Sequence, residues 1–299
     1  MKNFNMHSTT IRRFRAFCLI AVVMLAAGCS SFRLGYNNGD TLMYWWLNSY
    51  LDFDSDQSGT VKKDIAKIFQ WHRKSELDDY GRLLAKAKGQ LAGNPTQADL
   101  LTNYREAMVL SMRVANYAIP ELSRMARSAK PSQIANMEQK FASTNETYRK
   151  KFLKGDAEKR QKVRYKKSMT QLELWFGNFS NEQEAALRKA SDARPLNNEF
   201  WYEERLLRQK NILAALRKIQ SEKLGQEATQ TVIQNLIKDM FARFEAPDRK
   251  PFFDASIAGT NEMVLTAIRI ATPEQKAHAQ KRMQGWIDDF NELAAKNGK

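Results

Sequence analysis

Residues 232–244, VIQNLIKDMFARF, show the pattern that decides the fold class. Their large apolar side chains recur every three or four positions, which is the period of one face of an α-helix. The residues of this stripe are Ile233, Leu236, Ile237, Met240, Phe241 and Phe244. The polar residues between them occupy the other face, so the segment predicts an amphipathic helix. Ala246-Pro247-Asp248 predicts its end.

The same period extends outward over most of the chain, including a long helix predicted over 61–91. Two capping boxes predict helix starts, Ser180 with Gln183 and Thr272 with Gln275. In each box the two side chains bond to backbone N–H groups that a first helical turn leaves free. No strand alternation, glycine-rich phosphate loop or clean repeat is visible. We therefore predict an all-α fold, an antiparallel multi-helix bundle of long helices with no sheet.

The N-terminal stretch predicts a secretory signal and a lipid attachment site. Residues 1–15 carry basic residues and no acid, and 16–27 form an apolar run. That run is shorter than the roughly 20 apolar residues of a membrane span. The following LAAGC at 25–29 resembles a bacterial lipobox, in which the Cys becomes the first mature residue and takes a diacylglycerol. Ala26 departs from the usual large aliphatic residue, and ordinary cleavage leaving a free Cys29 is the alternative.

These features predict three parts. A signal peptide with its lipobox covers 1–28, a lipidated tether covers 29–40, and an all-helical periplasmic domain covers 41–299. The domain is long enough to be one large unit or two smaller ones. Two packed sub-bundles with a break near 155 or 195 are therefore an alternative, since Gly155 and Pro195 interrupt the helical pattern.

Charge and cysteine content agree with a periplasmic location. Cys18 is the only other cysteine and lies within the signal, so the mature chain has no disulfide and no Cys-ligated metal. Loss of four basic residues with the signal lowers the net charge from +15 to +11, which favours anionic neighbours. Expected partners are the membrane through the anchor, anionic lipid, lipopolysaccharide or an envelope protein, and no nucleic acid. In the enterobacterial lipoproteins that this lipobox resembles, an Asp directly after the lipidated Cys implies retention in the inner membrane. The resemblance therefore implies the outer membrane here, because Ser30 follows Cys29.

Residues 41–51, TLMYWWLNSYL, form an apolar and aromatic segment that predicts a short helix. Its rings can pack in the core or lie at a membrane interface, where amphipathic rings are favoured. We favour the core.

Residues 54–61, DSDQSGTV, match the first eight positions of a calcium-binding loop. The oxygen ligands would be Asp54, Asp56 and Ser58. The match fails at the twelfth position, where Ile65 replaces the bidentate Glu. We favour the alternative of a helix start, with Asp54 as the cap and Gln57 reaching back. No cofactor is expected beyond the covalent lipid, with calcium as the less favoured alternative.

A basic run lies in the middle of the chain. The members that would form an anionic-surface patch are Lys159, Arg160, Lys162, Arg164, Lys166 and Lys167. Such a patch attracts anionic lipid or lipopolysaccharide at about 1 kcal/mol per cation near a charged surface. We favour the alternative of solvated helix faces, since Lys and Arg are good surface helix formers.

We find no catalytic motif. His72 and His278, the histidines of the mature chain, lack the spacing of metal ligands. Adjacent carboxylates such as Asp78 and Asp79 point about 100° apart on a helix and do not form a paired acid and base. A helical Glu-x-x-His metal motif is also absent from the sequence. We therefore predict that the protein is not an enzyme.

Residues 29–80 carry a series of short motifs behind the lipobox cysteine. They are Tyr36-Asn37-Asn38, Trp45-Trp46-Leu47, Tyr50, Asp52-Phe53-Asp54, Gln57, Trp71-His72-Arg73 and Tyr80. This series resembles a family of proteobacterial lipoproteins of uncharacterised function. The resemblance implies an outer-membrane-type lipoprotein with an all-helical domain. It implies no activity and no functional residue.

From the sequence we expect a non-enzymatic binding or structural component of the cell envelope. Two alternatives stay open: a calcium- or anionic-lipid-responsive module, and an enzyme of a type that the sequence does not reveal.

Overall fold

The computed structural model describes residues 30–295, and over this range the chain is helical and without strands. The predicted all-α multi-helix bundle is confirmed. The thirteen α-helices of this range are α1 Ser30–Asn37, α2 Gly39–Leu51, α3 Ser55–Ser75, α4 Leu77–Ala92, α5 Gln97–Tyr117, α6 Ile119–Ser128, α7 Pro131–Tyr148, α8 Ala157–Phe176, α9 Asn181–Asp192, α10 Asn198–Ser221, α11 Gln226–Ala242, α12 Lys250–Ile270 and α13 Pro273–Ala295. A π-helical turn, Arg149–Leu153, extends α7, and a 3₁₀ turn, Arg243–Glu245, extends α11. None of the helices in the described range is long and apolar enough to cross a membrane.

Capping side chains start α9 and α13 where the sequence predicts them. Gln183 Oε1 accepts a hydrogen bond from the Ser180 N–H at 2.9 Å. Gln275 Oε1 accepts one from the Thr272 N–H, also at 2.9 Å. The Ser180 and Thr272 hydroxyls accept from the N–H groups of the same glutamines in return. Both predicted capping boxes are therefore confirmed.

The two capping glutamines also bind each other and tie α9 to α13. Gln183 Nε2 donates to Gln275 Oε1 at 2.8 Å, and Gln275 Nε2 donates to Gln183 Oε1 at 3.1 Å. Gln183 Nε2 also donates to the Ile270 carbonyl at 2.7 Å. Gln275 Nε2 donates to the Asn178 carbonyl at 2.6 Å. We name this reciprocal arrangement of two capping glutamines a glutamine clasp.

A second glutamine clasp ties α3 to α7. Gln133 Nε2 donates to Gln57 Oε1 at 2.6 Å and to the Asp52 carbonyl at 3.0 Å. Gln57 Nε2 donates to Gln133 Oε1 at 3.2 Å and to the Ser128 carbonyl at 2.5 Å. In both clasps each amide reaches the carbonyl five positions before the partner glutamine. The two clasps are thus the same structure formed twice.

The clasps mark a repeat of the chain. Residues 52–57, DFDSDQ, correspond to 178–183, NFSNEQ, and residues 129–133, AKPSQ, correspond to 271–275, ATPEQ. One half runs from α2 to α7 and the other from α8 to α13, and each clasp joins the second and sixth helices of its half. The sequence itself shows no clean repeat, and the correspondence is visible only through the contacts of the structure. The matching strings are short, and the paired glutamines are 76 positions apart in one half and 92 in the other, which obscures the correspondence.

The two halves exchange their third and fourth helices. α10 packs against α7 and α11 against α6, while α4 packs against α13 and α5 against α12. The larger core is formed by α2, α3, α6 and α7 with α10 and α11. The second core is formed by α8, α9, α12 and α13 with α4. A break near 155 or 195 therefore does not separate two sub-bundles, because residues on both sides of each position fill the larger core.

The first helix packs against the last. The Phe32 ring stacks on Trp286 and meets Phe290 edge-on, with centroid distances of 5.2 Å in both pairs. Arg33 Nε lies 2.8 Å from Asp289 Oδ1, and Asp289 is only 2% exposed. This ion pair and the ring contacts fix α1 to the body of the protein.

The predicted tether at 29–40 is therefore wrong over Ser30–Asn37, which is α1. Phe32 and Tyr36 are four positions apart, so a helix places both rings on one face that α3 and α13 cover. The polar residues among them concealed this helix. Cys29 and the signal peptide at 1–28 lie outside the described residues.

Replacing Gln133 with Ala tests the clasp. Gln133 is 3% exposed, and its loss leaves the Asp52 carbonyl and the Lys130 N–H without their side-chain partner. A buried polar group left without a partner costs about 1–3 kcal/mol. We expect the free energy of unfolding in urea to fall by about 2 kcal/mol.

The matched control is Gln139→Ala, on the exposed side of the same helix. Its free energy of unfolding should stay within about 0.5 kcal/mol of the unchanged protein. Equal stability of the two variants would show that the clasp does not hold α3 and α7 together.

Candidate functional site

The second helix exposes an unusual number of large apolar side chains. Trp45 is 62% exposed and Trp46 is 57% exposed. Leu42 and Met43, one turn earlier, are 50% and 41% exposed. We name Leu42, Met43, Trp45 and Trp46 the aromatic face. Clustered exposed apolar groups of this kind mark contact sites for a partner or a membrane.

The opposite side of α2 packs in the larger core. Tyr44 and Leu51 are buried, and Leu47 packs against them. The preference for core packing is thus correct for these residues and wrong for Trp45 and Trp46. Both sides of this helix are apolar, so composition alone does not identify the side that faces the core.

The aromatic face is held in a defined position by the end of α2. Asp52 adopts a left-handed conformation with φ of 50°, and its N–H bonds to the Asn48 carbonyl at 2.8 Å. Asn48 Oδ1 accepts a second bond from the Phe53 N–H at 2.8 Å. The Tyr44 hydroxyl donates to Ser58 Oγ at 2.9 Å, which ties α2 to α3. The exposed indoles therefore project from a rigid helix.

A cation borders the aromatic face. Lys140 Nζ lies 5.8 Å from the centroid of the Tyr50 ring. Lys62 Nζ lies 4.6 Å from the centroid of Tyr44, which is on the buried side of α2. Tyr50 in turn contacts Trp46 at a centroid distance of 5.2 Å. Aromatic rings bordered by Lys are typical of surfaces that meet the headgroup region of a bilayer.

The Asp54 loop forms a helix cap, as the favoured interpretation predicts. Asp54 and Gln57 form the capping box of α3, with the Asp54 N–H donating to Gln57 Oε1 at 3.1 Å. Asp54 Oδ2 lies 2.6 Å from Lys130 Nζ, and this bond raises the pKa of Lys130. Ser58 Oγ donates to the Asp54 carbonyl at 2.9 Å, while Asp56 accepts from the Ser55 hydroxyl at 3.2 Å.

The three oxygen ligands proposed for calcium, those of Asp54, Asp56 and Ser58, thus have protein partners. Within residues 30–295 no group of three or more His, Cys, Asp or Glu side chains is arranged to hold a metal ion.

The predicted basic patch divides into two kinds of side chain along α8. Lys159, Lys162, Lys166 and Lys167 are exposed, whereas Arg160 and Arg164 are partly buried. These two arginines donate to backbone carbonyls, Arg160 Nε to Gly155 at 3.1 Å and Arg164 to Pro195 at 2.7 Å. The six residues therefore do not form one continuous surface patch.

The histidines have structural contacts. His72 Nδ1 lies 2.8 Å from the Tyr36 hydroxyl, which joins α3 to α1. Burial lowers the pKa of His72 and raises that of Tyr36 to about 12. His278 Nδ1 lies 2.8 Å from the Trp175 carbonyl. The structure does not bring the two histidines together.

A family profile matches residues 49–237, which is more than half of the chain. The chain belongs to DUF6279, a family of unknown function. The DUF6279 match begins at the end of α2 and runs into α11, so the aromatic face lies before it. No curated protein and no solved structure matches the chain. The resemblance to a family of unknown function is thus confirmed, while the lipobox, the motifs and the proteobacterial source stay predictions.

The burial of His72 predicts a stability that depends on pH. The folded pKa of His72 is below the unfolded value of 6.5, so the unfolded chain takes up the proton first as the pH falls. The contribution of His72 is fully present above pH 6.5 and is lost as the pH falls towards the lower folded pKa. We expect the free energy of unfolding in urea to fall as the pH is lowered below 6.5. The variant His72→Gln should show a smaller fall.

The control is His278→Gln, which changes an exposed histidine. The free energy of unfolding of this variant should fall with decreasing pH as much as that of the unchanged protein. A His72→Gln variant with an unchanged pH dependence would contradict the role given to burial of His72.

Proposed function

We propose that this protein is a lipid-anchored, non-enzymatic binding or structural component of the cell envelope, and that its aromatic face lies in the membrane that holds the anchor. The exposure of Trp45 and Trp46 on a well-packed helix is the observation that carries the proposal. Indole rings favour the membrane–water interface because they combine an apolar body with a polar N–H.

The position of the aromatic face along the chain supports this proposal. Cys29, the expected site of lipid attachment, directly precedes α1, and α1 leads to α2 through Asn38. A helix of eight residues such as α1 spans about 12 Å. The anchor and the aromatic face are therefore within reach of the same membrane surface. Leu34 on α1, 67% exposed, adds apolar area between them.

The flanking cation favours an anionic membrane. Lys140 borders Tyr50, which contacts Trp46, and a cation near an anionic surface contributes about 1 kcal/mol. Ser30 after the lipidated Cys favours the outer membrane, with the helical bundle facing the periplasm. In this arrangement the rest of the protein is held close to the membrane and presents its other surfaces to soluble or membrane partners.

Quenching of tryptophan fluorescence by brominated lipid tests the orientation. The full-length protein is placed in phosphatidylglycerol vesicles that contain a phospholipid with brominated acyl chains. We expect part of the emission to be quenched, and we expect Trp45→Phe with Trp46→Phe to remove most of that quenching. The measured quantity is the fraction of emission lost to the brominated lipid.

The matched control is Trp201→Phe, which removes an exposed tryptophan on α10. Quenching should persist in that variant. If the fraction quenched is unchanged without Trp45 and Trp46, the aromatic face does not lie in the membrane.

Mass spectrometry of the mature protein tests the anchor separately. We expect the first residue to be Cys29, with the added mass of a diacylglycerol. An unmodified N-terminus, or cleavage at another position, would overturn the anchor whatever the quenching experiment shows.

A further inference from the structure

A cationic cavity lies between α8, α10 and α12, away from the aromatic face. Its volume is about 550 Å³, which is within the range of small-molecule sites. Six cationic side chains line it, and no Asp or Glu does. They are Arg160, Arg164, Lys167, Arg194, Arg205 and Arg208. A cavity whose charged side chains are all cations attracts anions, and this is the first indication of an anionic ligand.

Two of these arginines, Arg164 and Arg194, are partly buried and form no ion pair with a carboxylate among the described residues. The charge of Asp192 acts on Arg164 only from beyond ion-pair distance. Arg164 donates only to backbone carbonyls, including those of Pro195 at 2.7 Å and Ser191 at 2.8 Å. Arg194 donates to Ser168 Oγ at 3.0 Å and contacts Met263 Sδ at 3.7 Å. The Nε atoms of both arginines are buried without a hydrogen-bond partner. Burial lowers the pKa of both guanidinium groups.

The mouth of the cavity adds further unpaired charge. Arg205 donates to Asn145 Oδ1 at 2.7 Å and to Thr144 Oγ1 at 2.8 Å, both uncharged groups. Lys167 and Arg208 are exposed and form no ion pair within residues 30–295. Arg160 alone of the six has a carboxylate partner, Glu199 at 2.6 Å. Partly buried cations without counter-charges are costly, and a bound anion would stabilise them.

The rest of the cavity lining is largely apolar. Phe152, Leu172, Trp201, Met263 and Val264 form much of the lining. A site for a small inorganic anion would not need this surface. An apolar group attached to the anion would bury it and gain roughly 25 cal/mol per Å².

A second chamber of about 280 Å³ continues the apolar surface. It shares Arg164, Arg194 and Trp201 with the first chamber. Beyond them it is lined by side chains that include Phe244 and Phe253. The two partly buried guanidinium groups therefore stand between two spaces that both have apolar lining residues, which suits a charged head with a chain attached.

We propose that this cavity binds an amphiphile with a phosphate headgroup, whose phosphate meets Arg164 and Arg194 and whose hydrocarbon chain lies along Trp201, Leu172 and Val264. A phosphate monoester carries a charge of about −1.5 to −2 at neutral pH. It therefore matches five cations without carboxylate partners better than a carboxylate does. Planar guanidinium groups also bind phosphate oxygens with paired hydrogen bonds.

Calorimetric titration with hexyl phosphate tests the proposal on the full-length protein in one uncharged detergent. Inorganic phosphate has the head without the chain, and hexyl glucoside has the chain without the charge. We expect hexyl phosphate to bind at least about tenfold more tightly than either. Equal affinity for inorganic phosphate would reduce the site to a simple anion site and overturn the proposal. Equal affinity for hexyl glucoside would show that the cations play no part and would also overturn it.

Two sets of variants locate the site. Arg194→Gln removes a partly buried guanidinium, and we expect it to weaken hexyl phosphate binding about tenfold or more. The double variant Lys167→Gln with Arg208→Gln changes only exposed side chains and is expected to weaken binding several-fold. It keeps the test valid if Arg194→Gln does not fold.

The matched control is the double variant Lys162→Gln with Lys166→Gln, which removes two cations from α8 outside the cavity. It should leave the affinity unchanged. The proposal fails if this control weakens binding as much as the cavity variants do, because the effect is then one of net charge. No bilayer is present in this assay, so its outcome is independent of the orientation of the aromatic face.

Discussion

The reciprocal glutamine clasp is the interaction on which the arrangement of helices depends. A single side-chain amide performs two tasks in it. Its oxygen caps the start of its own helix, and its nitrogen binds the carbonyl just ahead of the partner helix. The same group begins a helix and ties it to another. If the two helices slid relative to each other, buried polar atoms would therefore lose their hydrogen-bond partners. Long amphipathic stripes alone tolerate such sliding far better.

The exchange of helices between the two halves follows from the same plan. Each clasp joins the second and sixth helices of a half, and the third and fourth helices extend away to pack on the other half. Neither half completes its core without the other. The cationic cavity lies where α10, from the larger core, faces α8 and α12 of the second. Its unpaired arginines therefore stand at the junction of the two cores.

The two proposed functions use different parts of this framework. The aromatic face is on α2, close to the expected anchor, and its indoles are too exposed for a role in packing. The cavity is built mainly from α8, α10 and α12 of the second half, and its lining combines cations with apolar side chains. Together the two proposals place one end of the protein at a membrane surface and an amphiphile in the cavity.

The sequence by itself determined the helical fold, the capping boxes at Ser180 and Thr272, and the cap at Asp54. These features depend on residues three or four positions apart, which local geometry brings together. Tertiary structure alone decided which side of α2 faces the core, that residues 30–37 form a packed helix, and that Arg164 meets Arg194. Those outcomes depend on contacts between distant segments, and a local pattern carries no information on the partner. The repeat was present in the sequence, but only the paired glutamines made it recognisable.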